Sequence, residues 1–217
     1  MSGALTTLAI VWAAAAAAIA VLWAVARRLH NAGIVDVAWA GLTGAAGVAF
    51  AAASPGPAGL RALAGVMIAA WTGRLTVYLF RRVVGHPEEG RYRTLRQRWG
   101  AQADRRFFGF FQMQAAAAAW FATPLLAIGY SSAIPAPWLI ALGVGLWIAG
   151  VGGVAVADWQ LARFKRSAAP SGRPCRRGLW RASRHPNSFC EWVRWCSCTP
   201  LAAAAPRAGA PAPRPAP

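Results

Sequence analysis

The chain has 217 residues, 57% of them hydrophobic and only 13% charged, and its 23 Lys and Arg against six Asp and Glu give a formal net charge of +17. A soluble domain of this length would carry about a quarter of its residues charged, so an ordinary soluble fold is excluded. The basic residues fall in blocks between long apolar runs, which makes anionic lipid headgroups rather than nucleic acid their partners.

A helix needs about 20 residues to cross the hydrocarbon core of a bilayer, and five runs meet that length. The first, 4–26, has no charge. Its end, Ala24-Val25-Ala26, is a small-residue pattern that a signal peptidase could cut, but residues 1–11 lack the basic segment of a signal peptide, so it reads as a membrane helix. A tight turn over 27–33, around Asn31 and Gly33, leads to 34–53, where Asp36 is the sole charge. The run 62–80 contains only Arg74.

The next block, 81–106, holds eight Arg. Within it HPEEGRYRTLRQRWG, His86 to Gly100, sets Glu89 to Arg93 and Tyr92 to Arg96 at helical spacing and predicts a short interfacial helix. The run 111–130 contains Pro124, which predicts a kink. Pro135 and Pro137 turn the chain into 136–157. Another eight Arg or Lys lie in 159–184, with a loop-like stretch through residue 177. A partial sixth helix is expected over 187–198, interrupted by Arg194, and 199–217 is an Ala/Pro/Arg tract expected to be disordered.

The fold class is therefore all-α: a polytopic transmembrane bundle with five helices and an incomplete sixth, in one helical domain over 1–198. The loops 54–61 and 131–135 hold one Arg and none, so the positive-inside rule puts the N-terminus outside and the basic blocks in the cytoplasm, with a bacterial inner membrane as the expected location. Gly143-Gly145 and Gly150-Gly153 sit inside an apolar helix with no strand before them, which indicates helix packing rather than a dinucleotide-binding loop. All four Cys lie between 175 and 198, on the side where thiols stay reduced. Cys196 and Cys198 with His185 match no zinc spacing, so no metal is expected.

An acid inside a membrane run is costly, which makes it either a paired or a functional residue. Asp36 is open to both readings, with Arg27, Arg28 or Arg74 as partner. Arg74 is either that partner or a ligand for phosphate or substrate. Glu88 and Glu89 read as local salt bridges or as acid/base groups. Asp158, Arg163 and Lys165 form either a snorkelling cluster or a phosphate-binding one. The segment GLWRASRHPNSFCEW, Gly178 to Trp192, packs Arg181, Arg184, His185, Asn187 and Glu191 where a helix meets the membrane, and Pro186 sets the helix start. Asn187 and Glu191 are spaced i, i+4, so one helix face would offer an amide and an acid, with Arg184 and His185 at its mouth.

GLWRASRHPNSFCEW resembles the GLWRYSRHPNYFGEW signature of the domain-of-unknown-function 1295 proteins, relatives of the steroid 5-alpha-reductase membrane enzymes. Four further segments agree with it in order: Asn31 to Trp39, the 86–100 block, Phe111 to Gln114, and Asp158 to Leu161 with Phe164-Lys165. The likeness covers roughly 25–195. It implies an NADPH-dependent reductase of a carbon–carbon double bond in a lipid-like enone, in which Asp158, Lys165, Arg184, His185, Asn187 and Glu191 would line the cofactor pocket. Asp36 and Arg74 would face the substrate, with Glu89 as a further catalytic candidate. A second family, the isoprenylcysteine methyltransferases, shares Arg-His-Pro at the same place but uses S-adenosylmethionine; a non-catalytic membrane remnant is the third reading.

The chain departs from the pattern at Trp71, where the steroid enzymes carry a catalytic Tyr, and at Ala182, Ser188 and Cys190. Beyond Trp195 the motifs stop while relatives continue through further membrane helix. A shifted reading frame or a degenerate copy would account for the tail, and sequencing the locus in independent isolates tests it.

Overall fold

The apolar runs fold as α-helices because a chain without water to bond its amides must satisfy them internally. The computed structural model describes residues 2–166 and 174–205, and every regular element among them is helical. Five stretches, Gly3–Arg28, Ile34–Ala53, Ala58–Val83, Gly90–Gly129 and Pro137–Arg166, are long and apolar enough to cross a membrane, which makes the chain an integral membrane protein. The residues group into two compact units, Met1–Ser132 and Ala133–Ala204.

The first unit contains α1 (Ser2–Arg28), α2 (Ile34–Ala53), α3 (Ala58–Val83), α4 (Gly90–Trp99), a 3₁₀ turn at Gly100–Gln102, α5 (Ala103–Phe121) and α6 (Thr123–Gly129). α2 is its central helix, packed against α1, α3, α5 and α6. Val35, Ala38, Ala46 and Phe50 are buried along α2, Ile68 and Trp71 on α3, and Phe107, Phe111 and Ala115 on α5. Small side chains on α2 and α5 let the backbones approach closely, the means by which helices associate where lipid offers no hydrophobic driving force. Two buried hydroxyls in these helices are satisfied locally: Thr43 and Thr72 each donate to the carbonyl four residues back, at 2.8 Å.

At the α2–α3 turn Arg61 donates to the carbonyls of Ala51, Ala52 and Gly56 at 2.9–3.0 Å, capping the end of α2. The kink expected at Pro124 is a break. Proline has no N–H to continue the ladder, so α5 ends at Phe121 and α6 begins at Thr123, with Leu125 N–H bonding Ala122 O at 3.0 Å across the junction.

The second unit is organised on α7 (Pro137–Arg166), whose 30 residues reach about 45 Å at the usual helical rise. α8 (Leu179–Ala182), α9 (Pro186–Cys196) and α10 (Cys198–Leu201) follow, and α7 packs with all three. Of the glycines of α7, Gly143, Gly150 and Gly153 serve packing, as their place in an apolar run indicates, whereas nothing lies within 4 Å of a Cβ at Gly145 or Gly152. Gly143 faces Leu201, Gly153 faces Cys190, and a Cβ at Gly150 would lie 2.7 Å from the Arg194 backbone nitrogen.

Arg194, expected to interrupt the sixth helix, does not. α9 runs through it to Cys196, and its side chain is only 2% exposed, with Nε 3.0 Å from Glu191 Oε2 and the guanidinium 3.8 Å over the Trp195 ring. A partner carboxylate and an aromatic face offset the desolvation of the cation. The sixth helix is nonetheless short, its 11 residues reaching about 16 Å. Cys198–Leu201 adds a helical turn in which Pro200 and Leu201 are buried, where the sequence places the start of the tail. Residues 206–217 of that tail, and 167–173 of the preceding loop, lie outside the described residues.

Candidate functional site

Two sets of polar residues stand out, one in each unit. In the first, the turn Asn31-Ala32-Gly33 is clamped to the segment after α3. Asn31 Nδ2 donates to Val83 O at 3.2 Å and His86 O at 3.1 Å, while its Oδ1 accepts the Gly33 N–H at 3.0 Å. Glu88 Oε1 accepts the Ala32 N–H at 2.8 Å, and both Glu88 oxygens accept from Arg96, at 2.9 and 3.1 Å. Burial by itself would raise the Glu88 pKa; the Arg96 fork and the Ala32 amide outweigh it and hold the carboxyl below its ordinary value.

Asp36, in the first turn of α2, accepts from the Tyr92 hydroxyl at 2.9 Å and is ion-paired with Arg91. The sequence put Arg27, Arg28 or Arg74 beside Asp36; the structure puts Arg91 there because α4 folds back over the start of α2 and seats Tyr92, 1% exposed, in the core beside Phe107 and Phe110. Arg27 pairs with Asp104 instead, at 3.0 Å. Glu89, which lies at helical spacing from Arg93, is ion-paired with Arg82 at 2.8 Å and Arg91 at 3.4 Å, and Arg93 donates to the Glu88 carbonyl. Arg74 is half-buried on α3. Two of the motifs shared with the family, Asn31 to Trp39 and the 86–100 block, are thus the two halves of one interlock.

In the second unit α8 is fastened to α7. Trp180 Nε1 donates to Ala157 O at 2.9 Å, and Gln160 Oε1 accepts the Leu179 N–H at 2.9 Å. Gly178 lies directly against the Gln160 side chain with φ +57°, a position closed to a Cβ on both counts. The Ser183 hydroxyl accepts the His185 N–H at 3.1 Å, and Pro186 begins α9.

This arrangement frames a cleft of about 940 Å³ lined by Leu161, Pro174, Cys175, Arg176, Trp180, Arg181, Ala182, Ser183, Arg184 and His185. Among the described residues that line it, three arginines and a histidine lie beside the apolar surfaces of Leu161 and Trp180, and none is a carboxylate. Its size is that of a small-molecule or cofactor site, and its charge suits a phosphorylated ligand, since guanidinium groups bind phosphate through paired donors.

Of the residues expected to line a cofactor pocket, Arg184 and His185 line this cleft, and Asp158, Lys165, Asn187 and Glu191 are not among its lining residues. Lys165 is exposed in the last turn of α7, and Asp158 is half-buried about two turns from that helix's end. Asn187 Oδ1 accepts the Ser188 N–H at 3.0 Å. Glu191 pairs with Arg194 because the i, i+3 spacing within α9 brings them together. Arg181, named in the Gly178–Trp192 segment, also lines the cleft, and Arg176 and Trp180 are lining residues that the sequence did not single out. The density of arginine between 176 and 184 was the available signal.

No curated protein and no solved structure matches the chain. A family model described as a protein of unknown function, DUF1295, matches residues 22–210. That match runs past Trp195, where the recognisable motifs end, and takes in both the interlock of the first unit and the cleft of the second. The chain belongs to the DUF1295 family.

Proposed function

We propose that this membrane protein is an NADPH-dependent reductase of a carbon–carbon double bond in a lipid-like enone, with its basic loops cytoplasmic. The arginine-lined cleft carries the reading. A dinucleotide phosphate presents several anionic groups joined to flat rings, and the cleft offers Arg176, Arg181 and Arg184 for the first and Trp180 for the second. None of the described lining residues is a carboxylate that would repel phosphate.

Bound there, NADPH would supply the hydride for the β carbon of the enone. The part of this chain's own residues is binding and orientation: the arginines hold phosphates, and Trp180, anchored through Ala157, keeps one wall in place. The carboxylates of Asp36 and Glu89 are held in ion pairs, so this reading gives them structural work and no proton transfer.

Titration of the purified protein in neutral detergent with NADPH and with S-adenosylmethionine tests the proposal. Saturable NADPH binding supports it. Binding of S-adenosylmethionine alone would transfer the cleft to a methyltransferase-like activity, and binding of neither would leave a non-catalytic membrane protein.

A further inference from the structure

The first unit carries a second basic feature that the proposed reduction does not use. Segments 27–33 and 81–106 contain ten arginines, and the carboxylates available to them are four: Asp36, Glu88, Glu89 and Asp104. All four are already engaged by arginines: Asp36 by Arg91, Glu89 by Arg82, Glu88 by Arg96 and Asp104 by Arg27. These same pairs bring the C-termini of α1 and α3, the helix α4 and the start of α5 to one end of the unit. Arg28, Arg81, Arg98 and Arg105 are exposed there and have no acidic partner among the described residues.

The surroundings are those of a membrane surface. Trp23 and Trp99 sit at this end, covered by the guanidinium groups of Arg27 at 4.9 Å and Arg106 at 5.9 Å, and Trp side chains with Arg collect at the level of lipid headgroups. The apolar face of α4 is used up inside the protein, with Tyr92 buried and Leu95 and Trp99 packed on the core. Its arginine face is therefore what it presents outward. The opposite end of α2 and α3 has Arg61, consumed in capping three carbonyls.

We infer that this end of the first unit binds the phosphates of anionic phospholipids through Arg81, Arg98 and Arg105, with α4 as the headgroup-facing element. The ring of internal ion pairs sets the arrangement, and the surplus arginines provide the attraction.

Native mass spectrometry of the protein in neutral detergent with an equimolar mixture of phosphatidylglycerol and phosphatidylcholine tests this. Wild type is expected to retain the anionic lipid in clear excess. The triple variant Arg81→Gln, Arg98→Gln, Arg105→Gln is expected to lose roughly a hundredfold in relative affinity for it, while the triple Arg→Lys variant, which keeps the charge and so controls for folding, retains the preference. Equal retention of both lipids by wild type, or an unchanged preference in the Gln variant, overturns the inference. So does displacement of phosphatidylglycerol by inorganic phosphate at matched ionic strength, which would mark a site for free anions.

Discussion

The Tyr92 hydroxyl donates to Asp36 Oδ1 at 2.9 Å and so ties the first turn of α4 to the first turn of α2 across 56 positions of sequence. Tyr92→Phe leaves the Asp36 carboxylate short of one donor in a site where Tyr92 itself is 1% exposed. The loss is expected to cost about 1–3 kcal/mol, read as a lower unfolding temperature in detergent. Asp36→Ala should act on the same bond, so the double variant is expected to cost less than the sum of the two singles. Strict additivity would show that the two groups are not coupled.

Glu88 predicts a pH dependence. Its carboxyl is held below the ordinary value of 4.5, so near that pH the unfolded chain binds more protons than the folded one, and stability rises with pH. The contribution is fully present above pH 4.5 and is lost as pH falls through the lower folded value. Unfolding curves of wild type and Glu88→Gln are expected to differ most at neutral pH and to converge on acidification. A gap that does not narrow below pH 4.5 would contradict this.

Gly150 and Gly152 lie two residues apart on α7 with opposite surroundings. A Cβ at Gly150 meets Arg194 N at 2.7 Å and Cα at 2.8 Å, whereas at Gly152 nothing lies within 4 Å. Gly150→Leu must push α9 away from α7 and is expected to destabilise by about 1–3 kcal/mol. Gly152→Leu is expected to be neutral or slightly stabilising, since it removes a helix-interior glycine. Thermal unfolding of the pair checks the packing of the second unit without needing its ligand.

The cleft predicts a division among the basic residues near the end of α7. Arg181→Ala and Arg184→Ala should each weaken NADPH binding roughly ten- to a hundredfold, the worth of a charge-assisted contact. Lys165→Ala should leave it near wild type, because Lys165 is exposed and not among the cleft's lining residues. Equal losses from all three would mean that general charge, and not the cleft, governs binding.

Asn31→Ala is expected to be the most damaging single change in the first unit's interlock. It removes both donors to the Val83 and His86 carbonyls and the acceptor of the Gly33 N–H; Val83 O keeps the His86 N–H at 3.3 Å, so the largest cost, about 1–3 kcal/mol, comes from the buried Gly33 N–H left unsatisfied. Expression and monodispersity in detergent, compared with Asn31→Asp, would measure it.

The linear chain determined the membrane-spanning helices, the short helix within 86–100, the interruption at Pro124 and the concentration of arginine, because apolar run length, helical spacing and a missing amide hydrogen are local properties. It also marked Asp36 as an expensive residue, but offered it Arg27, Arg28 or Arg74 as partner, and it named no partner for Glu89, Glu191 or Arg194. Only the tertiary structure decided those. Asp36 meets Arg91 and not Arg74 because α4 doubles back over α2, and such a fold-back depends on where Tyr92 can be buried. Arg194 continues a helix that its charge was expected to break, since Gly150 admits its backbone and Glu191 and Trp195 neutralise and cover its head. The cleft, too, is a product of folding: Gln160 and Ala157 pin a single turn of helix in place, and three arginines spread over nine residues are thereby turned toward one space.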